Sequence, residues 1–279
     1  MNFEAFKSDY REVIERAQQA DVRAIINVGS NFETSKKAIE IAEKYAEGVY
    51  PHTKYFGEGV YAAIGLHPIH VKPGSETLTN ASHFSEKSQS STTWKDERFD
   101  ETEFLKLAKN KKVVAIGETG LDYYYDKSSA ELQKEIFEKS LKIARAVSKP
   151  VILHSRDSGE DVLSVLMAQR PEPLGVMHCF QGNWAYAKMI LDMGLYISFT
   201  GLITFSKNYE TFEVIKNAPL DRLMIETDCP FMSPQLYRGK RNEPAFVIEV
   251  AKKIAEIKKL PLEKVAEETS KNAKKLFKI

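Results

Sequence analysis

Short runs rich in Val, Ile and Leu alternate with amphipathic segments along the whole chain, and no other feature restricts its fold so strongly. The apolar runs occupy residues 23–28, 60–64, 112–116, 150–153, 174–177, 195–198 and 222–225. A helix over residues 7–19 sets Tyr10, Val13, Ile14 and Ala17 on one face, and one over 33–46 does the same with Ala38, Ile39, Ala42 and Tyr45. Further helical segments are 132–147, 157–167, 184–193, 209–217 and 243–257, and a last one, 262–277, begins after Pro261. Alternation of this kind predicts an α/β fold, a parallel sheet wrapped by helices, and at this length a (β/α)8 TIM barrel. Seven strands are counted, however, and a helix comes first. An eighth strand would have to precede Lys7, where only six residues remain, so the expectation is a barrel that is incomplete or has its first strand missing.

At 279 residues the chain can bury a sizeable core, and no repeat or linker divides it, so residues 1–279 read as one domain. A polar stretch at about 72–100 breaks the rhythm. Within it, residues 75–93 hold ten Ser or Thr with little periodicity, the composition of an extended surface loop. Forty Lys+Arg against 39 Asp+Glu leave a net charge of +1, so a nucleic-acid partner would have to be met by a local basic patch. Two cysteines, Cys179 and Cys229, are too few for a disulfide framework, which points to a reducing compartment. No run is long and apolar enough to span a membrane, and the N-terminus is no signal peptide. The chain is therefore expected to be cytoplasmic, monomeric and without a membrane partner.

Chemistry gathers where the strands end. His67 follows residues 60–64 in Gly-Leu-His-Pro, Glu118 follows 112–117, His154 follows 150–153, His178 closes 174–177 and Asp228 follows 222–227. In a barrel these ends meet at one mouth. Any one of them alone reads as a satisfied structural residue; five at the same end read as a site. Imidazole and carboxylate suit a divalent cation without soft-ligand selectivity, so one or two ions of Zn, Mn or Mg are expected. Such an ion lowers the pKa of bound water from 15.7 to about 7, which names metal-assisted hydrolysis. Glu118 is the candidate bridge between two ions. Asp228 could bind a metal, take the proton of the attacking water, or both. Glu226 is either a supporting partner of the site or a buried structural acid, and the two cysteines read as packing beside the ligands they follow.

Arg156, two residues past His154, could anchor an anion or pair with a nearby acid. Arg238-Gly239-Lys240-Arg241 puts three cations in the loop after Asp228, suited to phosphate contact or to a plain solvated turn. Tyr123, Tyr124 and Tyr125 could stack on bases, seal the pocket or, as aromatics more often do, pack beneath a loop. His70 reads as a cap or packing residue, His52 and His83 as solvated, and the glycosylation match at Asn80-Ala81-Ser82 is set aside.

The stretches that carry these residues run in a recognisable order. They are Ala62-Ala63-Ile64-Gly65-Leu66-His67-Pro68, Ala115-Ile116-Gly117-Glu118-Thr119-Gly120-Leu121-Asp122-Tyr123, Pro150-Val151-Ile152-Leu153-His154-Ser155-Arg156 and Val176-Met177-His178-Cys179-Phe180-Gln181-Gly182. Ile225-Glu226-Thr227-Asp228-Cys229-Pro230 and Arg238-Gly239-Lys240-Arg241-Asn242-Glu243-Pro244 complete the series. In this order, over nearly the whole chain, they resemble the TatD family of metal-dependent deoxyribonucleases. The resemblance implies a (β/α)8 barrel, one or two divalent metals, and phosphodiester hydrolysis on DNA by exo- or endonuclease action. It implies Glu118, His154 and His178 as ligands of one metal with Glu118 bridging to a second, Asp228 as the acid on the other metal, and His67 as an active-site histidine.

Family members open with a strand ending in Asp-x-His-x-His-Leu, and here Met1 stands where that Leu would be. The expectation is a start upstream of Met1, and, for the chain as it stands, a first metal bound weakly. Two other readings stay open: hydrolysis of a small ester or amide by the same barrel group, and a catalytically lapsed barrel that binds nucleic acid or protein.

Overall fold

The computed structural model describes residues 1–47, 59–71, 99–124, 127–169 and 174–279. The polar stretch 75–93, the excursion with Tyr55 and Phe56, His52, His83, Asn80 and Tyr125 lie outside them.

All seven apolar runs form strands: β1 (Ile25–Val28), β2 (Val60–Ile64), β3 (Val113–Asp122), β4 (Val151–Arg156), β5 (Gly175–Met177), β6 (Tyr196–Phe199) and β7 (Leu223–Ile225). Each pairs in parallel with the next in sequence, giving one sheet in the order β1 to β7. The helices are α1 (Tyr10–Gln19), α2 (Phe32–Lys44), α3 (Glu101–Ala108), α4 (Ala130–Val147), α5 (Gly159–Gln169), α6 (Trp184–Asp192), α7 (Tyr209–Asn217), α8 (Val247–Lys258) and α9 (Leu262–Phe277). A helix lies between each strand and the next, and this sequential winding curls the sheet as in a TIM barrel. The described sheet has seven strands, and an eighth is not part of it.

Strand period decides where each residue goes. Ala63, Ala115, Ile152, Val176, Tyr196 and Met224, from six consecutive strands, form one inner cluster, closed off by Leu276 and Phe277 at the end of α9. Neighbours in sequence, such as Ala62, Ile64, Val151, Leu153, Met177, Ile197 and Leu223, face the helices and join the large outer core with Phe137, Leu166 and Ile190. Burial of one such side chain stabilises by about 1.5–3 kcal/mol, so the outer layer dominates the fold.

Two sequence expectations need correction. The first concerns β3, which does not stop at Ile116 but continues through Glu118 to Asp122, with a shift of register against β4 between Ile116 and Thr119. Gly117 and Gly120, at φ +150° and +145°, let the strand run on through that irregularity. The second is α3, which the sequence reading passed over. Asp100 caps it by accepting N–H bonds from Thr102 at 2.9 Å and Glu103 at 3.1 Å, and Phe104 and Ala108 bury its apolar face. An acidic N-cap with Glu103 three residues on was the available signal. It lies directly after the polar stretch at about 72–100, outside the run of apolar segments.

An ion-pair network ties the N-terminal segment to the loop after β7. Arg16 grips Glu243 through Nε at 2.7 Å and Nη2 at 2.8 Å, while Arg241 reaches Glu243 at 2.9 Å and Asp9 at 2.8 Å.

Candidate functional site

His67 stands just beyond β2, and its imidazole is oriented by its own turn. The Ile69 N–H donates to Nδ1 at 3.1 Å, so in the neutral ring the proton sits on Nε2. Burial holds His67 well below the usual histidine range, and the nearby His154 and His178 lower it further, which keeps it neutral. Its Nε2 lies 3.3 Å from Glu118 Oε2 and 3.2 Å from His154 Nδ1.

His154 is held from behind by Asp122, whose Oδ2 lies 3.0 Å from Nε2. The carboxylate keeps the proton on Nε2 and leaves the Nδ1 lone pair facing the site. Asp122 is itself fixed: Oδ1 accepts the Tyr124 N–H at 3.0 Å, and its own N–H donates to Gln133 Oε1 at 2.8 Å. Sequence reasoning quoted Asp122 within a motif and gave it no role; a carboxylate at a strand end beside a histidine strand was the signal.

His178 Nε2 lies 3.1 Å from His154 Nδ1 and 3.6 Å from Glu118 Oε1. Its Nδ1 faces Glu226 Oε2 at 3.5 Å and has no hydrogen-bond partner among the described residues. Burial opposes its charged form, but Glu118 and Glu226 outweigh that and push it up to about 10. Glu226 is anchored by the Cys179 N–H at 2.7 Å and the Ser198 hydroxyl at 2.6 Å. It is therefore a partner of the site, one of the two alternatives its position left open. Asp228 takes a left-handed φ of +53° just after β7. Burial and the neighbouring Glu118 push its carboxyl up to about 8.

His67, Glu118 and His154 bring one ligand atom each within 4.8 Å of one another, compact enough for a metal ion. The donor set fits a cation: Nδ1 of His154 and Nε2 of His178 face each other across 3.1 Å beside a carboxylate. Without a proton or an ion between them their lone pairs would repel. The tautomer of His67 sets it apart, because an Nε2 that carries a proton donates rather than coordinates. Burial pushes both thiols up, so Cys179 and Cys229 stay protonated. Cys179 Sγ rests 3.5 Å from Met232 Sδ, a packing contact.

A cavity of about 1770 Å³ is lined by His67, Glu118, His154, His178, Asp228 and Arg156, and it continues past β1 to Arg23 and to Phe277 of α9. Of the substrate candidates, Arg156 lies on that cavity's wall with its guanidinium 3.6 Å above the Tyr124 ring. Arg238 is exposed and stacks 4.2 Å over Phe205. Arg241 is engaged by Asp9 and Glu243 and lies 4.5 Å over Phe6. Tyr123 turns away, its hydroxyl donating to Asp161 at 2.7 Å on α5.

A family model described as TatD related DNase matches residues 1–278. The chain belongs to the TatD family. Within that family it is 39% identical to an uncharacterized metal-dependent hydrolase, YabD of Bacillus subtilis, over 100% of this chain and 96% of that protein. It is 31% identical to the 3'-5' ssDNA/RNA exonuclease TatD of Pantoea ananatis, over 98% of this chain and 94% of the relative. Among solved structures, the TatD homolog YjjV of Escherichia coli K12 superposes with a TM-score of 0.83 at 27% identity, covering 100% of this chain and 95% of that one. The TatD family is one of metal-dependent hydrolases, in keeping with the histidine–carboxylate cluster. No helix among the described residues is long and apolar enough to cross a membrane.

Proposed function

We propose that this chain is a divalent-metal-dependent phosphodiesterase acting on the ends of DNA. The observation that supports it best is the convergence of His154 Nδ1 on His178 Nε2 at 3.1 Å, with Glu118 alongside, at an arginine-bearing mouth. Glu118, His154 and His178 would hold one ion, and Glu118 with Asp228 would face a second. A bound divalent ion supplies Lewis-acid polarisation of a phosphoryl oxygen and a water acidic enough to attack near neutral pH.

The protein's own groups do the rest. Asp122 and Glu226 stand behind His154 and His178, so each imidazole keeps its orientation. The carboxylate of Asp228, left-handed just after β7, is the group of this chain that would take the proton of the attacking water and return it to the leaving oxygen. His67 presents its Nε2–H to the anionic centre. Arg156 and Arg238 contact backbone phosphates, which positions the chain without reading bases. Arg241 and Tyr123, already engaged by acids, support the mouth from beneath it.

A labelled single-stranded oligonucleotide incubated with Mn, Mg or Zn tests the assignment. Metal-dependent shortening, abolished by chelator and strongly reduced in Glu118→Gln, is expected. Binding without cleavage in every metal would overturn it and favour a lapsed barrel.

A further inference from the structure

Among the described residues, the large apolar side chains that stand exposed beyond the strand ends include Ile69 at 49%, Tyr124 at 55% and Phe231 at 59%. Each follows a different strand, β2, β3 and β7, on the side where the strand-end histidines and acids lie. Each is also tied by its own backbone N–H to a residue of the site or its support. Ile69 donates to Nδ1 of His67 at 3.1 Å, Tyr124 to Oδ1 of Asp122 at 3.0 Å, and Phe231 to the carbonyl of Asp228 at 3.0 Å. Exposed apolar residues scattered singly need no explanation. Three of them held at fixed offsets from one catalytic cluster do. Ile69 and Phe231 line the same cavity as His67 and His154, and Arg156, also on its wall, stacks its guanidinium on the Tyr124 ring. Phe3 meets Phe231 edge-on at 6.0 Å, which steadies that ring.

We infer that Tyr124 and Phe231, with Ile69 as an apolar wall, form a stacking rim for the unpaired bases beside the scissile phosphate. This rests on the phosphodiesterase reading and deepens it. Rings at the rim and cations beside them suit a strand that alternates flat bases with phosphates, and a base held in a duplex could not present its face to them. The rim therefore makes Tyr124 and Phe231 specificity-determining residues for single-stranded ends.

The test compares two octamers with cleavage-resistant phosphorothioate linkages in magnesium: octathymidylate, and the same backbone with abasic sugars at its three 3′-terminal positions. Stacking contributes about 1–3 kcal/mol per base, so the unaltered protein should bind the first at least about fivefold more tightly. Tyr124→Ala and Phe231→Ala should each bring that ratio severalfold closer to one. Tyr124→Phe, which keeps the ring, and Met167→Ala, exposed on α5 at the opposite end, should leave it in place. Equal affinity for the two octamers, or a ratio untouched by both alanine variants, would overturn the inference. Cleavage of ordinary octathymidylate is followed in parallel. A ratio that behaves as expected with no cleavage would overturn the phosphodiesterase reading and leave the rim standing.

Discussion

Replacing Gly120 by alanine should unsettle the site from the backbone outward. Gly120 lies in β3 opposite His154 of β4, at φ +145°. A Cβ added there would overlap the His154 carbonyl oxygen and stand 2.9 Å from its carbonyl carbon and 3.0 Å from its nitrogen. None of these atoms is the end of a flexible side chain; all belong to the strand that carries His154. Two costs add. An L residue forced to that φ costs about 1–3 kcal/mol, and overpacking adds about 1–3 kcal/mol. The sum, about 2–6 kcal/mol, is a large share of a total stability of roughly 5–15 kcal/mol. At about 2–4 °C per kcal/mol for a chain of this size, the melting midpoint should fall by about 10 °C. Gly239 is the internal reference: its φ is +82°, but nothing lies within 4 Å of an added Cβ. Gly239→Ala should therefore cost only the conformational part, about 1–2 kcal/mol. Urea denaturation and thermal melts measure both, and manganese binding by calorimetry measures the site. Because the displaced backbone is that of His154, manganese affinity should drop in Gly120→Ala and persist in Gly239→Ala. Equal stability losses at the two glycines, or unchanged manganese affinity in Gly120→Ala, would refute the close-approach argument.

Asp122→Asn and Glu226→Gln should each weaken metal binding by about 10–100-fold, because the imidazole each one faces loses its charged partner; competition with a chelating dye reads this. Metal uptake should release protons: His178 and Asp228 carry them below about 10 and about 8, and a cation must displace both. Affinity should thus rise with pH between 6 and 8, and a flat profile would contradict the assignment of these two groups. Arg241→Ala should cost stability, about 1–2 kcal/mol after solvent screening, and Arg238→Ala should instead raise KM for oligonucleotides with little change in melting. Arg241 and Arg16 hold Asp9 and Glu243 below the usual carboxylate range against the opposing cost of burial. Depressed acids stabilise above their unfolded pKa values and lose that contribution as pH falls through the folded ones. The gap between Arg241→Ala and the unaltered protein should therefore close as pH falls below about 4; a gap that widens there would show that the network is not its source.

What the sequence made legible follows from which physical facts depend on pattern and which on placement. Strand order and the clustering of His67, Glu118, His154, His178 and Asp228 at one mouth follow from topology, and topology is written in the β/α rhythm. The continuation of β3 to Asp122 was not, because Gly117 and Gly120 look like a break and serve as the means of continuing. Which partner each side chain finds is a matter of one or two ångströms, and composition carries no trace of it. Arg238 and Arg241 are alike as charges, yet only Arg241 lies within reach of Asp9 and Glu243. Tyr123 and Tyr124 are adjacent, yet one is drawn down to Asp161 and the other stands out at the rim. Successive residues at a strand end face opposite sides, so a single step in sequence separates a hydroxyl bound to Asp161 from a half-exposed ring beneath Arg156. The groups that contact a substrate are thus the ones a sequence places least well. The groups that could hold a metal, set by strand ends rather than by rotamers, are the ones it places best.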